Sequence, residues 1–580
     1  MTILRPFAGH DASLRSRAHV AADAVVLVAV VVFFWLLIRL GHGIEAPFNR
    51  VSAPSTVSTD PADLPYYAAR SLVRMFAALL VSTVFTFVYA TAAARLRRAE
   101  KVLLPVLDVL QSVPVLGFLS VTLTIWLRLF PHTVLGLECA SVFAIFTSQA
   151  WNMTFSFYNS LITQPADLDE AARLLRLTKW QRFWKLDVPY GMIPLVWNGM
   201  MSFGGGWFFL IASEVISVNS HTYALPGIGA YVAAASDQEQ IGRLFLAIGA
   251  MVVMVVGVNF CFWRPLTAWA ERFRPGDTAS AEVQRSIALN LLRRSVVPGI
   301  VARTLRPVGR GLDRMTRPLG VADHPLQVEL RRRRIGDIVF SGLVLVVVAL
   351  GTWRMLAFVD RNAGLGAYGH AFLLGLVTFG RVVVLVVLGT LVWVPIGVWI
   401  GMNPKVTRYA QPVVQVLASF PANFLFPFVT LLLVDTGISL NLGGIVLMSL
   451  GAQWYILFNV IAGASAIPND LREVASNLRL GRWLRWKTLI LPAIFSSWVT
   501  GGITAAGGAW NASIVAEVVS YGRHHLTATG LGAYIARSTA NGNFAETLVG
   551  VSVMSVYVVG LNRLFWRRLY RIAETRYSLT

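Results

Sequence analysis

The chain has 580 residues, of which 56% are apolar and only 14% charged, with a formal net charge of +21. Soluble domains carry about 25% charged residues, so disorder, a coiled coil and an ordinary cytosolic enzyme are excluded. Two cysteines, Cys139 and Cys261, both in apolar runs, leave no disulfide scaffold and no cysteine-ligated metal cluster.

A membrane-spanning helix needs about 20 mostly apolar residues. Runs of that kind fall near 21–40, 68–94, 103–127, 133–162, 188–216 and 244–263. Six more fall near 336–358, 371–402, 410–434, 443–466, 489–518 and 543–562. The pattern predicts an all-α polytopic membrane protein with twelve transmembrane helices. No small-residue cleavage site follows Leu40, so the first run reads as a signal anchor. With the N-terminus inside, seven cytoplasmic segments hold 39 of the 50 Lys and Arg residues, and the external segments hold six. This asymmetry predicts that both termini are cytoplasmic. It also accounts for the positive charge without nucleic acid.

The two halves repeat. Arg74, Pro105, Ser112 and Pro114 return 307 residues later as Arg381, Pro412, Ser419 and Pro421. After a four-residue deletion the spacing becomes 303: Trp151, Pro189, Gly205, Trp207 and Glu214 return as Trp454, Pro492, Gly508, Trp510 and Glu517. Six spans per half is an even number, so both halves enter the membrane in the same sense. The expected architecture is two parallel six-helix repeats about an axis along the membrane normal. They occupy 1–263 and 336–580. The basic segment 264–335 is too polar to span and is expected to lie on the anionic inner leaflet.

One motif occurs twice, in the loops 165–187 and 467–487. The first carries Asp167, Glu170, Ala171, Ala172 and Arg176; the second carries Asp470, Glu473, Val474, Ala475 and Arg479. An Asp N-cap with Glu at N3 can satisfy orphan amides at a helix start. A short capped helix is thus presented to the cytosol twice, with small residues at 171, 172 and 475 permitting close approach. A soluble motor could grip such a helix. The blander alternative is an interfacial helix anchored by Trp and Arg.

Intramembrane charges mark function by default. Arg74 and Glu214 lie at similar depth, and Arg381 and Glu517 repeat them. Each arginine either pairs with its glutamate or joins a positive ring that attracts an anion. Gly-Lys-Ser/Thr, His-Glu-x-x-His and Gly-x-Ser-x-Gly are all missing from the sequence, so no catalytic residue, metal site or bound cofactor is expected. Gln149, Asn152, Gln453 and Asn459 are polar groups within spans that need partners.

The doubled loops resemble the EAA loop, the coupling helix of ABC importer permeases. Ser71–Arg74, Ser112–Pro114 and the Gly-Gly-x-Trp before Glu214 resemble the nitrate/sulfonate/taurine/bicarbonate branch, in its duplicated and fused form. The resemblance implies the type I ABC importer transmembrane-domain fold in a bacterial inner membrane. It implies a translocation subunit, not an enzyme, importing a small solute, an anion such as nitrate, sulfonate or bicarbonate. ATP and Mg would bind two separate ATP-binding subunits, and an extracytoplasmic solute-binding protein would deliver the cargo. Asp167 to Arg176 and Asp470 to Arg479 would couple to the ATPases. Gln149, Asn152, Gly205, Trp207, Ser213, Gln453, Asn459, Gly508, Trp510, Asn511 and Ser513 would line the path. Arg176 and Arg479 stand where the family has a loop glycine. A left-handed turn costs a non-glycine residue about 1–2 kcal/mol, so a different turn is expected there. A secondary transporter or channel with parallel repeats is the alternative, and it leaves the doubled loop unexplained.

Overall fold

The computed structural model describes residues 56–131, 133–218, 221–273 and 330–576, with scattered positions between 295 and 316. The expected span at 21–40 and most of the basic segment 264–335 lie outside the described residues. The first half runs α1 (Leu64–Arg95), α2 (Arg97–Ser112), α3 (Val115–Leu129), α4 (Leu135–Ile162), the short α5 (Ala166–Leu174) and α6 (Val188–Glu214). A hairpin of β1 (Val215–Val218) and β2 (His221–Ala224) follows, then α7 (Ile228–Asp237) and α8 (Ile241–Val258). A long helix, α9 (Leu330–Asn362), opens the second half.

That half repeats the order as α10 (Gly366–Gly401), α11 (Pro404–Ser419), α12 (Phe426–Thr436), α13 (Leu440–Ser465), α14 (Asn469–Asn477) and α15 (Leu491–Ala516). It continues with β3 (Val518–Tyr521), β4 (His524–Thr527), α16 (Leu531–Ala540), α17 (Phe544–Leu561) and a last helix, α18 (Arg567–Arg576).

Among the described residues, eight helices are long and apolar enough to cross a membrane, nine if the bent pair α11–α12 counts as one. Two expected spans are not single helices. The run 103–127 breaks at Val113 and Pro114, and the run 410–434 breaks at Phe420 and Pro421, where both residues of each pair are extended. A proline pushes the residue before it out of the helical region and has no N–H to donate. At the second break the axis turns by 79°. The run 133–162 is one helix, α4, but Glu138, Gln149 and Asn152 keep it out of that group of eight.

The breaks interlock the halves. Leu116, Leu119, Leu123 and Leu127 of α3 pack into the core of the second half. Phe424, beyond the second break, packs into the core of the first, joined by Phe428 and Leu431. The hairpins interlock too. Tyr521 is buried in the first half's core, and the Gly522 N–H donates to the Ser236 carbonyl of α7 at 3.1 Å.

Each half also contains two π segments. Phe183–Asp187 and Asn259–Trp263 match Trp486–Ile490 and Asn562–Trp566 at the same 303 spacing.

Candidate functional site

Three features lie on this frame: a charged cluster near the hairpins, a cavity between the halves, and the two short helices at the opposite end.

In the first half, Arg74 Nη1 lies 2.7 Å from Glu214 Oε1. Its Nε and Nη2 also grip Glu138 in a fork, at 2.6 and 2.7 Å. Arg70 donates to Glu138 at 2.5 Å, which closes a neutral four-charge cluster. Glu214 has further partners. Ser71 Oγ–H donates to Oε1 at 2.5 Å, and the Gly229 N–H at the start of α7 donates to Oε2 at 2.6 Å. A carboxylate at a helix start meets both the orphan amides and the positive end of the dipole.

Gly227 is the cradle. A Cβ there would collide with the Glu214 carboxylate. The second half repeats the construction, with Arg381 Nη1 2.7 Å from Glu517 Oε1, Thr378 in place of Ser71, and Gly530 in place of Gly227. Asn441 replaces Glu138: its Oδ1 accepts from Arg381 Nη2 at 2.8 Å. Arg74 is 2% and Arg381 5% exposed. Both arginines are turned onto carboxylates, away from the cavity walls, so the geometry is that of the ion pair and not of the ring.

Sequence reasoning missed Glu138 and Arg70. The signal was available: the repeat puts Val377 opposite Arg70 and Asn441 opposite Glu138, a charge pair on one side and none on the other.

The cavity lies between the halves and has a volume of about 550 Å³. Of the residues expected on the path, Asn152, Gly205, Asn459, Gly508, Trp510 and Asn511 line it. The others do not, and packing explains each. Gln149 is fully buried between helices. Trp207 is 1% exposed and packs edge-on against Phe203. Ser213 Oγ pairs with Ser141 Oγ at 2.8 Å, and Ser513 Oγ–H donates to the Trp510 carbonyl. Gln453 accepts from Trp393 Nε1 at 3.0 Å. Asn511 also reaches the first half: its Oδ1 accepts the Val115 N–H at 3.1 Å, the first amide after the break at Pro114. On the other side, Asn423 donates to the Phe208 carbonyl at 3.2 Å.

The short helices α5 and α14 form where the doubled motif lies, with three corrections. Pro165 and Pro468, not Asp167 and Asp470, occupy the N-cap positions, and neither cap bonds through a side chain. Proline suits a helix start because the first amides have no partner to lose. Ala172 and Ala475 are buried against their own chain, so they seat each helix and are closed to a partner. The loop does not turn differently: Arg176 and Arg479 adopt φ of 46° and 47°, the left-handed conformation itself. The N–H groups of Leu177 and Leu480 close the turn onto the carbonyls of Ala172 and Ala475. Asp167, Glu170, Ala171 and Arg176 are exposed on the first outer face, and Asp470, Glu473, Val474 and Arg479 on the second.

Residues 82–264 and 393–578 each match the family described as "Binding-protein-dependent transport system inner membrane component". The chain belongs to this family. Among curated members, the nitrate import permease protein of Leptolyngbya laminosa is 26% identical over 184 residues, covering 32% of this chain and 62% of that one. The nitrate import permease protein of Synechococcus elongatus is 26% identical over 188 residues, 32% of this chain and 64% of that one. A bicarbonate transport system permease protein of the same organism is 24% identical over 135 residues, 23% and 45% of the two chains. The chain spans less than two thirds of the length of each of these relatives. Membership of the inner membrane component family, together with the apolar helices, makes this a multi-pass membrane protein that carries the family's region twice.

Proposed function

We propose that the chain is the fused translocation subunit of an ATP-driven importer that moves a small solute into the cytoplasm by alternating access. The observation that carries this reading is the doubled short helix. One acid–leucine–acid outer face is offered twice, at one end of the molecule, within the two regions that match the family. In this reading α5 and α14 each dock one of two ATP-binding subunits, which hold ATP and Mg. An extracytoplasmic solute-binding protein delivers cargo at the hairpin end. Closure of the ATPases draws α5 and α14 together and opens the hairpin end; hydrolysis resets it. The names of the relatives favour an anion such as nitrate or bicarbonate as cargo. Neither the family nor the relatives favour a secondary transporter or channel.

The test is charge reversal. Glu170→Arg with Glu473→Arg is expected to abolish solute-stimulated ATP hydrolysis in the purified complex, with membrane insertion unchanged. Normal coupling in an assembled complex would sink the docking role.

Orientation has its own test. A cysteine at Gly311 should react with an impermeant thiol reagent only from the cytosolic side. Labelling of that position in intact cells would overturn the placement of both termini inside.

A further inference from the structure

The helices α5 and α14 present matching outer faces but are tied down differently. In the first half Asp169, on the inner side of α5, accepts from Arg173 and from Arg182 beyond the left-handed turn. Arg182 Nε lies 3.7 Å from Asp187 Oδ1, and Arg95, the last residue of α1, donates to that same oxygen at 2.7 Å. An ionic chain therefore runs from α5 through the π segment to the end of α1. Its inner links are shielded, since Asp187 is 2% and Arg182 9% exposed. Buried pairs are screened by salt far less than surface pairs.

The second half lacks this chain. Asp169, Arg173, Asp187 and Arg95 correspond to Arg472, Ser476, Ile490 and Met402. Arg472 donates instead to the backbone carbonyls of Ala464 at 2.8 Å and Met402 at 3.4 Å. Among the described residues, no ion pair ties α14 to its half. The π segment itself is kept on both sides, so the difference lies in the side chains and not in the backbone path.

We propose that the two ATPase-docking helices are mechanically unequal: α5 is ion-locked to α1 and transmits the motion of a nucleotide-binding subunit directly, whereas α14 is held without an ion pair, through Arg472 on backbone carbonyls, and follows more loosely. This rests on the docking role proposed above. The outer faces share the same pattern of acid, leucine and arginine, so one kind of nucleotide-binding subunit fits both. The inequality then belongs to this chain and not to its partners.

The test gives the first half the residues of the second. Arg95→Met with Asp187→Ile removes the lock, Arg472→Ala is the matched change in the second half, and Arg95→Lys keeps a charge. Each is assayed in the full complex with its ATP-binding subunits and binding protein, alongside thermal stability. Cross-linking is followed from Ala171→Cys and Val474→Cys. The ratio of solute-stimulated to basal ATP hydrolysis should fall fivefold or more without the lock. It should fall less than twofold in Arg472→Ala and be retained in Arg95→Lys. If the double variant is unstable, Asp169→Asn breaks the chain at its more exposed end and should show the same loss. Equal effects in the two halves, with both cysteines cross-linking to the ATP-binding subunits, overturn the inequality and leave docking intact. Failure of both cysteines to cross-link in an assembled, ATP-hydrolysing complex overturns docking and this proposal together.

Discussion

Replacing Arg381 with Gln is expected to destabilise the protein by about 3–5 kcal/mol, the cost of stranding one member of a buried ion pair. Glu517 is fully buried, and Arg381 is its charged partner at 2.7 Å. Adding Glu517→Gln removes the stranded charge and should recover most of the loss. The first half should behave differently. In Arg74→Gln both Glu138 and Glu214 lose a cation, but Arg70 still holds Glu138. There Glu214→Gln should recover less, because Glu138 keeps only one of its two arginines. The measurement is a double-mutant cycle in each half, read by thermal unfolding in detergent and by solute uptake. Full stability of the single mutants would rule out the pair. Lost uptake with unchanged stability would bring back the positive ring.

Gly227→Ala and Gly530→Ala should each cost about 2–6 kcal/mol. The backbone is not the cause: φ is −175° at Gly227 and 179° at Gly530, extended values open to any residue. The cause is space, because each new methyl would overlap the carboxylate of Glu214 or Glu517. Overpacking costs about 1–3 kcal/mol. Pushing the carboxylate off its amide leaves buried polar groups unpaired, for about 1–3 kcal/mol more. Gly249→Ala is the control. Nothing lies within 4 Å of a Cβ there, and alanine favours a helix by about 0.5–1 kcal/mol. Unfolding midpoints of the three variants decide the matter. A neutral Gly227→Ala would mean that the carboxylate does not sit at the start of α7.

Much of this frame was legible because the repeat doubles every signal. The paired charges and the short helices could each be read twice. What could not be read depended on contacts across the chain. Hydropathy sees a run such as 410–434 as continuous, since Phe420 offsets Pro421. Only the local rule for pre-proline residues shows the break. Ala172 and Ala475 fit a docking pattern equally well facing out or in; which way they turn follows from how α5 and α14 seat on their halves. Glu138 passed unremarked because one acidic residue near the end of a span draws no attention until its partner is found 64 positions earlier. Gln149, Ser213 and Gln453 are polar residues in spans, and partners or packing inside the helix bundle claim them before a path can.

The π segments carry a history. Each inserts a residue into a helix, and everything after it turns by about 100°. Two independent acquisitions at both matched sites would require the same pair of insertions twice over. The segments therefore predate the duplication. A Val–Asn couple facing an Arg–Glu couple, or an isoleucine facing an aspartate in the same segment, became possible only once the two copies were inherited separately. Those asymmetric positions record how far the two inheritances have since parted.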